Sequence, residues 1–246
     1  MKFLGIIPAR YASTRFPAKP LALLGGKTVI QRVYEQVAGV LDDAYVATDD
    51  ERIEAAVKAF GGKVVMTSVH HKSGTDRCYE ACTKVGEGFD VVVNIQGDEP
   101  VINPEMIREV ISIFTEDESV YFGSLKKEIT DPDEIRATST VKVVTNDTGD
   151  AMYFSRSVIP SNIKDGQLAR VFRHVGIYAY KKDFLLKFAN MEQTELEKGE
   201  GIEPLRALQK GYHMRLKETT YTSIGVDLPE HVALVENIIR KNNVSI

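Results

Sequence analysis

The segment Phe89-Asp90-Val91-Val92-Val93-Asn94-Ile95 constrains the fold more than any other. It is a near-continuous apolar run, far too short to span a membrane, with no polar residue at every second position. Such a run is stable as a strand only where both faces of its sheet are covered, the situation of parallel sheets flanked by helices. Lys2–Pro8 has the same character. Helical segments fall between the strands. Thr28–Gly39 reads as a helix, with Thr28 and Gln31 at capping-box spacing and Gly39 as its stop. Ala44–Thr48 reads as a short strand, and Asp49 is placed to cap a helix running to Phe60, ended by Gly61-Gly62. Lys63–Thr67 is a third strand and Asp76–Val85 a further helix; Asn103-Pro104 opens another with a cap residue and a first-turn proline. Strands alternating with helices predict an α/β fold built on a doubly wound, mostly parallel sheet.

From about Val120 to Tyr212 the pattern is less regular. Val141–Val144 and His174–Tyr180 read as strands, Ser161–Arg170 as a surface loop and Thr194–Gly211 as a charged helical region. Leu228–Lys241 is an amphipathic helix opened by Pro229. With 246 residues the chain is read as a single domain, 1–246, carrying an elaboration at about 151–215 for a second substrate and a subunit contact.

In doubly wound sheets ligands sit beyond the carboxyl ends of the strands, which directs attention to the residues after Ile7, Ile95 and Val226. After the first strand comes Pro8-Ala9-Arg10-Tyr11-Ala12-Ser13-Thr14-Arg15-Phe16-Pro17-Ala18-Lys19-Pro20-Leu21. Arg10, Arg15 and Lys19 are interspersed with small residues that let backbone approach a ligand, and the prolines limit the entropy lost on ordering the loop. Arginine holds phosphate oxygens bidentately and lysine adds a compact charge, so the loop suits a triphosphate. The net charge of −4 leaves no basic excess for a nucleic-acid backbone. Two common phosphate loops are absent: Gly26-Lys27-Thr28 lacks the P-loop glycine at position 21, which is Leu21, and Gly86-x-Gly88 and Gly199-x-Gly201 meet Val91 and Pro204 where a dinucleotide fingerprint has its third glycine.

After the most buried strand come Gln96-Gly97-Asp98-Glu99-Pro100, and far along the chain Ile224-Gly225-Val226-Asp227-Leu228-Pro229-Glu230 repeats the arrangement of strand, aspartate and helix start. Taken singly, each aspartate reads equally well as a turn residue or helix cap. Beside the basic loop, Asp98 and Asp227 are candidates to share one Mg2+ ion, which takes one or two protein carboxylates together with phosphates and water. That combination suits nucleotidyl transfer, where positioning and charge stabilisation do most of the catalysis.

The N-terminal apolar stretch ends at Pro8 and Arg10, before a signal-peptide core would be complete, and no other stretch is long enough to cross a bilayer; the expected location is cytoplasmic. Cys78 and Cys82, the two cysteines, have neighbouring positions on one helix face without a second pair for zinc, and are expected to be reduced thiols outside the chemistry.

Resemblance adds to this reading. Ile7-Pro8-Ala9-Arg10-Tyr11-Ala12-Ser13-Thr14-Arg15, Val46-Ala47-Thr48-Asp49-Asp50, Ser73-Gly74-Thr75-Asp76-Arg77, Gln96-Gly97-Asp98-Glu99-Pro100, Tyr153-Phe154-Ser155-Arg156, Arg173-His174-Val175-Gly176-Ile177-Tyr178 and Val226-Asp227-Leu228-Pro229-Glu230 run through nearly the whole chain. They resemble the CMP-Kdo synthetase family, the 3-deoxy-manno-octulosonate cytidylyltransferases. The opening motif alone fits several sugar nucleotidyltransferases; the Arg156 and His174 motifs with their spacing are more specific.

The resemblance implies transfer of CMP from CTP to the anomeric hydroxyl of 3-deoxy-D-manno-octulosonate (Kdo), with loss of pyrophosphate, for lipopolysaccharide synthesis. It implies that Arg10, Arg15 and Lys19 hold the CTP phosphates, that Ser73, Gly74 and Arg77 line the cytidine pocket, that Ala9, Ser13 and Asp98 also bind the nucleotide, and that Asp98 and Asp227 hold Mg2+. Gln96, Arg156, His174 and Glu203 are implied to contact the sugar acid, Arg156 aptly so because Kdo carries a carboxylate. Lys19, Arg10, Arg15, Asp98 and Asp227 are the implied catalytic set, no protein general base stands out, and a homodimer is implied. The chain departs from the family pattern where Pro-Gly-Lys-Pro becomes Pro17-Ala18-Lys19-Pro20 and where Leu-Glu-Gln-Leu-Arg becomes Ile202-Glu203-Pro204-Leu205-Arg206. A methyl group at Ala18 is restrictive if the position needs a positive φ. The alternatives are a synthetase for another acidic sugar, 8-amino-Kdo or a sialic acid, and a regulator that binds nucleotide without turnover.

Overall fold

The computed structural model describes residues 1–12, 16–161 and 169–241. The chain divides into two compact units, residues 1–108 with 222–246 and residues 109–221. The elaboration expected at about 151–215 lies inside the second.

The first unit begins with β1 (Phe3–Ala9), a 3-10 turn at Lys19–Leu21 and the small hairpin β2 (Leu23–Leu24) and β3 (Lys27–Thr28). Then come α1 (Val29–Ala38), β4 (Asp43–Thr48), α2 (Glu51–Ala59), β5 (Val64–Met66), α3 (Gly74–Val85), β6 (Val91–Asn94) and α4 (Pro104–Glu116), whose last residues enter the second unit. The unit closes with α9 (Pro229–Lys241). Its main sheet runs β6-β1-β4-β5, parallel throughout. Val91, Val92 and Val93 are fully buried, as the unalternating run requires. The chain lays β4 and β5 on one side of β1 and returns to place β6 on the other, so the strand order reverses between β1 and β6. The crevice beyond the carboxyl ends of those two strands is the expected ligand position in such a sheet.

Local chemistry sets the helix starts. Thr28 Oγ1 accepts the Gln31 amide at 3.2 Å, but the Gln31 side chain turns to Glu35 at 3.0 Å, so only half of the expected capping box forms. Gly39 ends α1 at φ −75°, without a left-handed turn. The cap of α2 is Asp50, which accepts the Arg52 amide at 2.9 Å, and not Asp49 as expected. Asp49 is engaged by Arg77 instead, at 3.0 Å. Ser73 and Asp76 make a full reciprocal box at α3, which therefore starts at Gly74, earlier than the apolar pattern alone indicates. Cys78 and Cys82 are buried on α3 and are not joined in a disulfide.

The second unit contains β7 (Phe122–Ile129), α5 (Pro132–Arg136), β8 (Lys142–Thr145), β9 (Ala151–Ser155), β10 (Val171–Lys181), α6 (Lys182–Ala189), α7 (Glu195–Glu200), α8 (Pro204–Gln209) and β11 (Arg215–Glu218). Its sheet pairs β10 with β7 and with β8, and β8 with β9, all antiparallel, while β11 lies parallel to β7. The mostly parallel expectation thus describes the first unit, and the second is largely antiparallel. The charged region at 194–211 is two short helices rather than one, because Gly201 adopts φ 66° and Pro204 restarts the helix at its first position. The loop expected at Ser161–Arg170 lies mostly outside the described residues.

Candidate active site

In the first unit, a cleft of about 360 Å³ opens where β1 and β6 end, lined by Pro8, Ala9, Arg10, Ala12, Lys19, Pro20, Gly74, Gln96, Gly97 and Asp98. Gly97 is required there: a Cβ on it would stand 2.6 Å from the Pro8 carbonyl oxygen, so only glycine lets the two strand ends approach. Arg10 leaves the end of β1 with its guanidinium held by the carbonyl oxygens of His71 at 2.6 Å and Ser73 at 3.4 Å. The loop carrying His71 is tied to α3 through Glu80, which accepts from the Ser68 amide at 2.8 Å and pairs with the His71 ring and with Lys84. Burial raises the Glu80 pKa, but the hydrogen bonds from Lys84, the Ser68 amide and His71 outweigh it and bring the carboxyl to about 2. Arg10 is thus oriented by two carbonyls without being neutralised by them.

Lys19 reaches the cleft from the 3-10 turn, and its Nζ lies 2.6 Å from Asp98 Oδ2 and 3.6 Å from Asp227 Oδ1. The two aspartates, distant in sequence, are set side by side by backbone: the Val226 amide donates to the Asp98 carbonyl oxygen at 2.8 Å. The Asp227 amide donates to His231 Nδ1 at 3.1 Å, which fixes the start of α9 beside the carboxylate. Lys19 is largely buried while Asp98 and Asp227 keep 31% and 43% of their side-chain surface, so both carboxylates remain open to a ligand.

The residues expected around the cytidine divide. Gly74 lines the cleft. The Ser73 hydroxyl is occupied as the cap of α3, accepting the Asp76 amide at 3.0 Å. Arg77 has no exposed surface, and its guanidinium is held by Thr67 Oγ1 at 2.6 Å and by Asp49. These contacts brace α3 against the ends of β4 and β5. Ser13 and Arg15 lie outside the described residues. The Ala18 amide donates to the Tyr11 carbonyl oxygen at 3.0 Å.

Of the residues expected at the sugar acid, Gln96 lines the first unit's cleft, and Arg156, His174 and Glu203 belong to the second unit. Arg156 follows β9; its Nε donates to the Glu200 carbonyl oxygen at 2.8 Å and its Nη1 to that of Thr138 at 2.9 Å. On β10, the His174 ring packs edge-on against Phe154 and beside Tyr178. Desolvation, helped by the Arg173 charge, lowers its pKa to about 3, so the imidazole is neutral. A Ser124 hydroxyl that donates to the Val175 carbonyl oxygen at 3.0 Å accepts from His174 Nε2, also at 3.0 Å, and that tautomer leaves Nδ1 an acceptor. His174 is therefore suited to a hydroxyl rather than to a carboxylate. Glu203 precedes α8 and keeps a 3.4 Å contact with Arg206, whose main partner is the buried Glu197.

A cytidylyltransferase family model matches residues 4–219. The 3-deoxy-manno-octulosonate cytidylyltransferase of Bacteroides thetaiotaomicron is 55% identical over 99% of this chain and 100% of its own length. The chain belongs to the 3-deoxy-manno-octulosonate cytidylyltransferase family. The enzyme of the same name from Phocaeicola vulgatus is also 55% identical, over 98% of each chain. A solved structure of CMP:2-keto-3-deoxy-manno-octonic acid synthetase complexed with CTP superposes with a TM-score of 0.93 at 41% identity, covering 98% of this chain and 100% of that one. As a cytidylyltransferase, the chain carries the fold of that solved structure.

Proposed function

We propose that the chain transfers CMP from CTP to the anomeric hydroxyl of 3-deoxy-D-manno-octulosonate, releasing pyrophosphate and supplying CMP-Kdo for lipopolysaccharide synthesis. The observation that carries the reading is the convergence of Lys19, Asp98 and Asp227 at the cleft beyond β1 and β6, in a chain of this family. The Lys19 ammonium stands between two carboxylates as a cation would. An all-oxygen pair of this kind is the donor set that Mg2+ accepts while keeping phosphate and water ligands. Asp98 and Asp227 would hold that ion, which when bound supplies charge neutralisation at the phosphoryl oxygens. Arg10, oriented by backbone carbonyls, binds phosphate oxygens bidentately, and Lys19 stabilises negative charge that grows on the departing pyrophosphate. Neutral His174 accepts a hydrogen bond from a sugar hydroxyl, and Arg156 meets the sugar's carboxylate.

The reading includes a homodimer acting in the cytoplasm. Light scattering at the monomer mass of 27.4 kDa at micromolar concentration would remove the dimer. The reaction is tested by pyrophosphate release with CTP, Mg2+ and a panel of acceptors containing Kdo, 8-amino-Kdo and a sialic acid. Release that needs CTP, Kdo and metal together is expected. Equal release with CTP alone, or none with any sugar acid, would overturn the reading.

A further inference from the structure

Lys142 is fully buried, and no carboxylate pairs with it among the described residues. Its Nζ donates to the carbonyl oxygens of Ala137 at 2.9 Å, Thr140 at 2.6 Å and Arg156 at 2.6 Å. Those three bonds use the whole donor capacity of an ammonium group. Burial is nonetheless costly for the charged form; desolvation lowers the Lys142 pKa, the Arg156 charge lowers it further, and Glu200 opposes both. An apolar side chain would fill this position at a smaller desolvation cost. The charge therefore calls for an explanation in what it holds.

It holds residue 156. The Arg156 carbonyl oxygen accepts from Lys142, the Arg156 amide donates to Glu200 Oε2 at 2.9 Å, and the guanidinium grips the Glu200 and Thr138 carbonyl oxygens. The other Glu200 oxygen accepts from Ser155 Oγ at 2.7 Å. Lys142 and Arg156 grip the same turn, at Ala137, Thr138 and Thr140, from two sides. The charges in this cluster do not cancel, since two cations face the single carboxylate of Glu200. Among the described residues, Arg156 Nη2 makes no hydrogen bond.

We propose that Lys142 and Glu200 are positioning residues that hold Arg156 as a rigid receptor with one unbalanced positive charge, matched to the single carboxylate of the sugar acid; this rests on the reading that Arg156 meets that carboxylate. Glu200 takes the backbone amide and not the guanidinium edge, so it fixes Arg156 without occupying the face a substrate needs. Lys142 fixes the carbonyl side of the same residue and adds the charge that Glu200 would otherwise cancel.

The test is a double-mutant cycle read as KM for Kdo and KM for CTP, with folding checked by circular dichroism. Lys142→Met and Glu200→Ala are each expected to raise KM for Kdo about 10- to 100-fold, the scale of one hydrogen bond to a charged group, and to leave KM for CTP unchanged. In an Arg156→Met background neither should raise KM for Kdo further, because both act through Arg156. If Lys142→Met does not fold, Glu200→Ala carries the same cycle, since Glu200 is half-buried and its loss leaves the Lys142 ammonium with all three of its carbonyl partners. Unchanged KM for Kdo in the folded single variants, or effects that multiply with that of Arg156→Met, would overturn the proposal. If Arg156→Met alone leaves KM for Kdo at the parent value, Arg156 does not meet the carboxylate and the proposal falls with that reading.

Discussion

Ala18→Gly is expected to stabilise this chain. Ala18 has φ 58° and ψ 18°, the one left-handed residue other than glycine among the described residues. A side chain in that conformation costs about 1–2 kcal/mol through contact of Cβ with the following carbonyl oxygen. Glycine removes that strain, while its greater freedom in the unfolded chain costs about 0.4–1 kcal/mol. The balance is a gain of roughly 0.5–1 kcal/mol, which for a protein of this size corresponds to a rise in Tm of about 1–4 °C. The hydrogen bonds from the Ala18 amide to Tyr11 and from the Leu21 amide to the Ala18 carbonyl are backbone bonds and survive the change. The Lys19 turn, and with it kcat/KM for CTP, should be retained. Ala18→Val is the opposing control, because a β-branched residue is strained further in the left-handed region and should lower Tm. Calorimetry of the three proteins decides the matter: a lower Tm for Ala18→Gly, or a Val variant as stable as the parent, would show that Ala18 is not left-handed in solution.

The proposed metal ligands are tested by Asp98→Asn and Asp227→Asn, each expected to remain folded and to lose kcat by two to three decades or more, the usual cost of removing one charge-stabilising contact; near-normal kcat at saturating Mg2+ would clear that aspartate of the role. The depressed Glu80 pKa contributes stability that is fully present above pH 4.5 and is lost as pH falls from 4.5 through about 2. Urea unfolding at stepped pH should therefore show parent and Glu80→Gln converging over that window, and parallel curves would refute the link. Pro204 is buried at the first position of α8, where its missing amide proton costs nothing. Pro204→Gln should lower Tm while raising kcat/KM for Kdo by up to roughly 13-fold, one net hydrogen bond; a reduced kcat/KM would show that the family-pattern glutamine has no place here.

What the sequence makes legible is whatever rests on period and position. The unalternating valines of β6 dictate a covered strand, the glycine after it dictates close approach to β1, and strand order then carries Arg10, Lys19 and Asp98 to one crevice. Even the strain at Ala18 is legible, because a residue standing in a glycine position already asks about φ. What is not legible depends on which partner wins a side chain. Asp49 and Asp50 are equal candidates to cap α2 until Arg77, one helix later, takes Asp49 away. Ser73 and Arg77 sit in a motif that resemblance assigns to ligand, yet the hydroxyl is committed to the Asp76 amide and the guanidinium is sealed beneath the strand ends.

The same reasoning separates Lys142 from the lysines around it. Periodicity marks it faintly, as a charge inside Val141-Lys142-Val143-Val144, and a lysine on an otherwise apolar strand ordinarily snorkels to solvent. Its partners are carbonyl oxygens, which every residue carries and no sequence pattern announces. Those carbonyls are available because the chain turns at 137–140 and again after β9, and Arg156 draws on the same turn through Thr138. In the receptor proposed for the sugar's carboxylate, the buried charge of Lys142 keeps the Arg156 backbone in place, and it is the loss of that backbone hold that the Lys142→Met cycle measures.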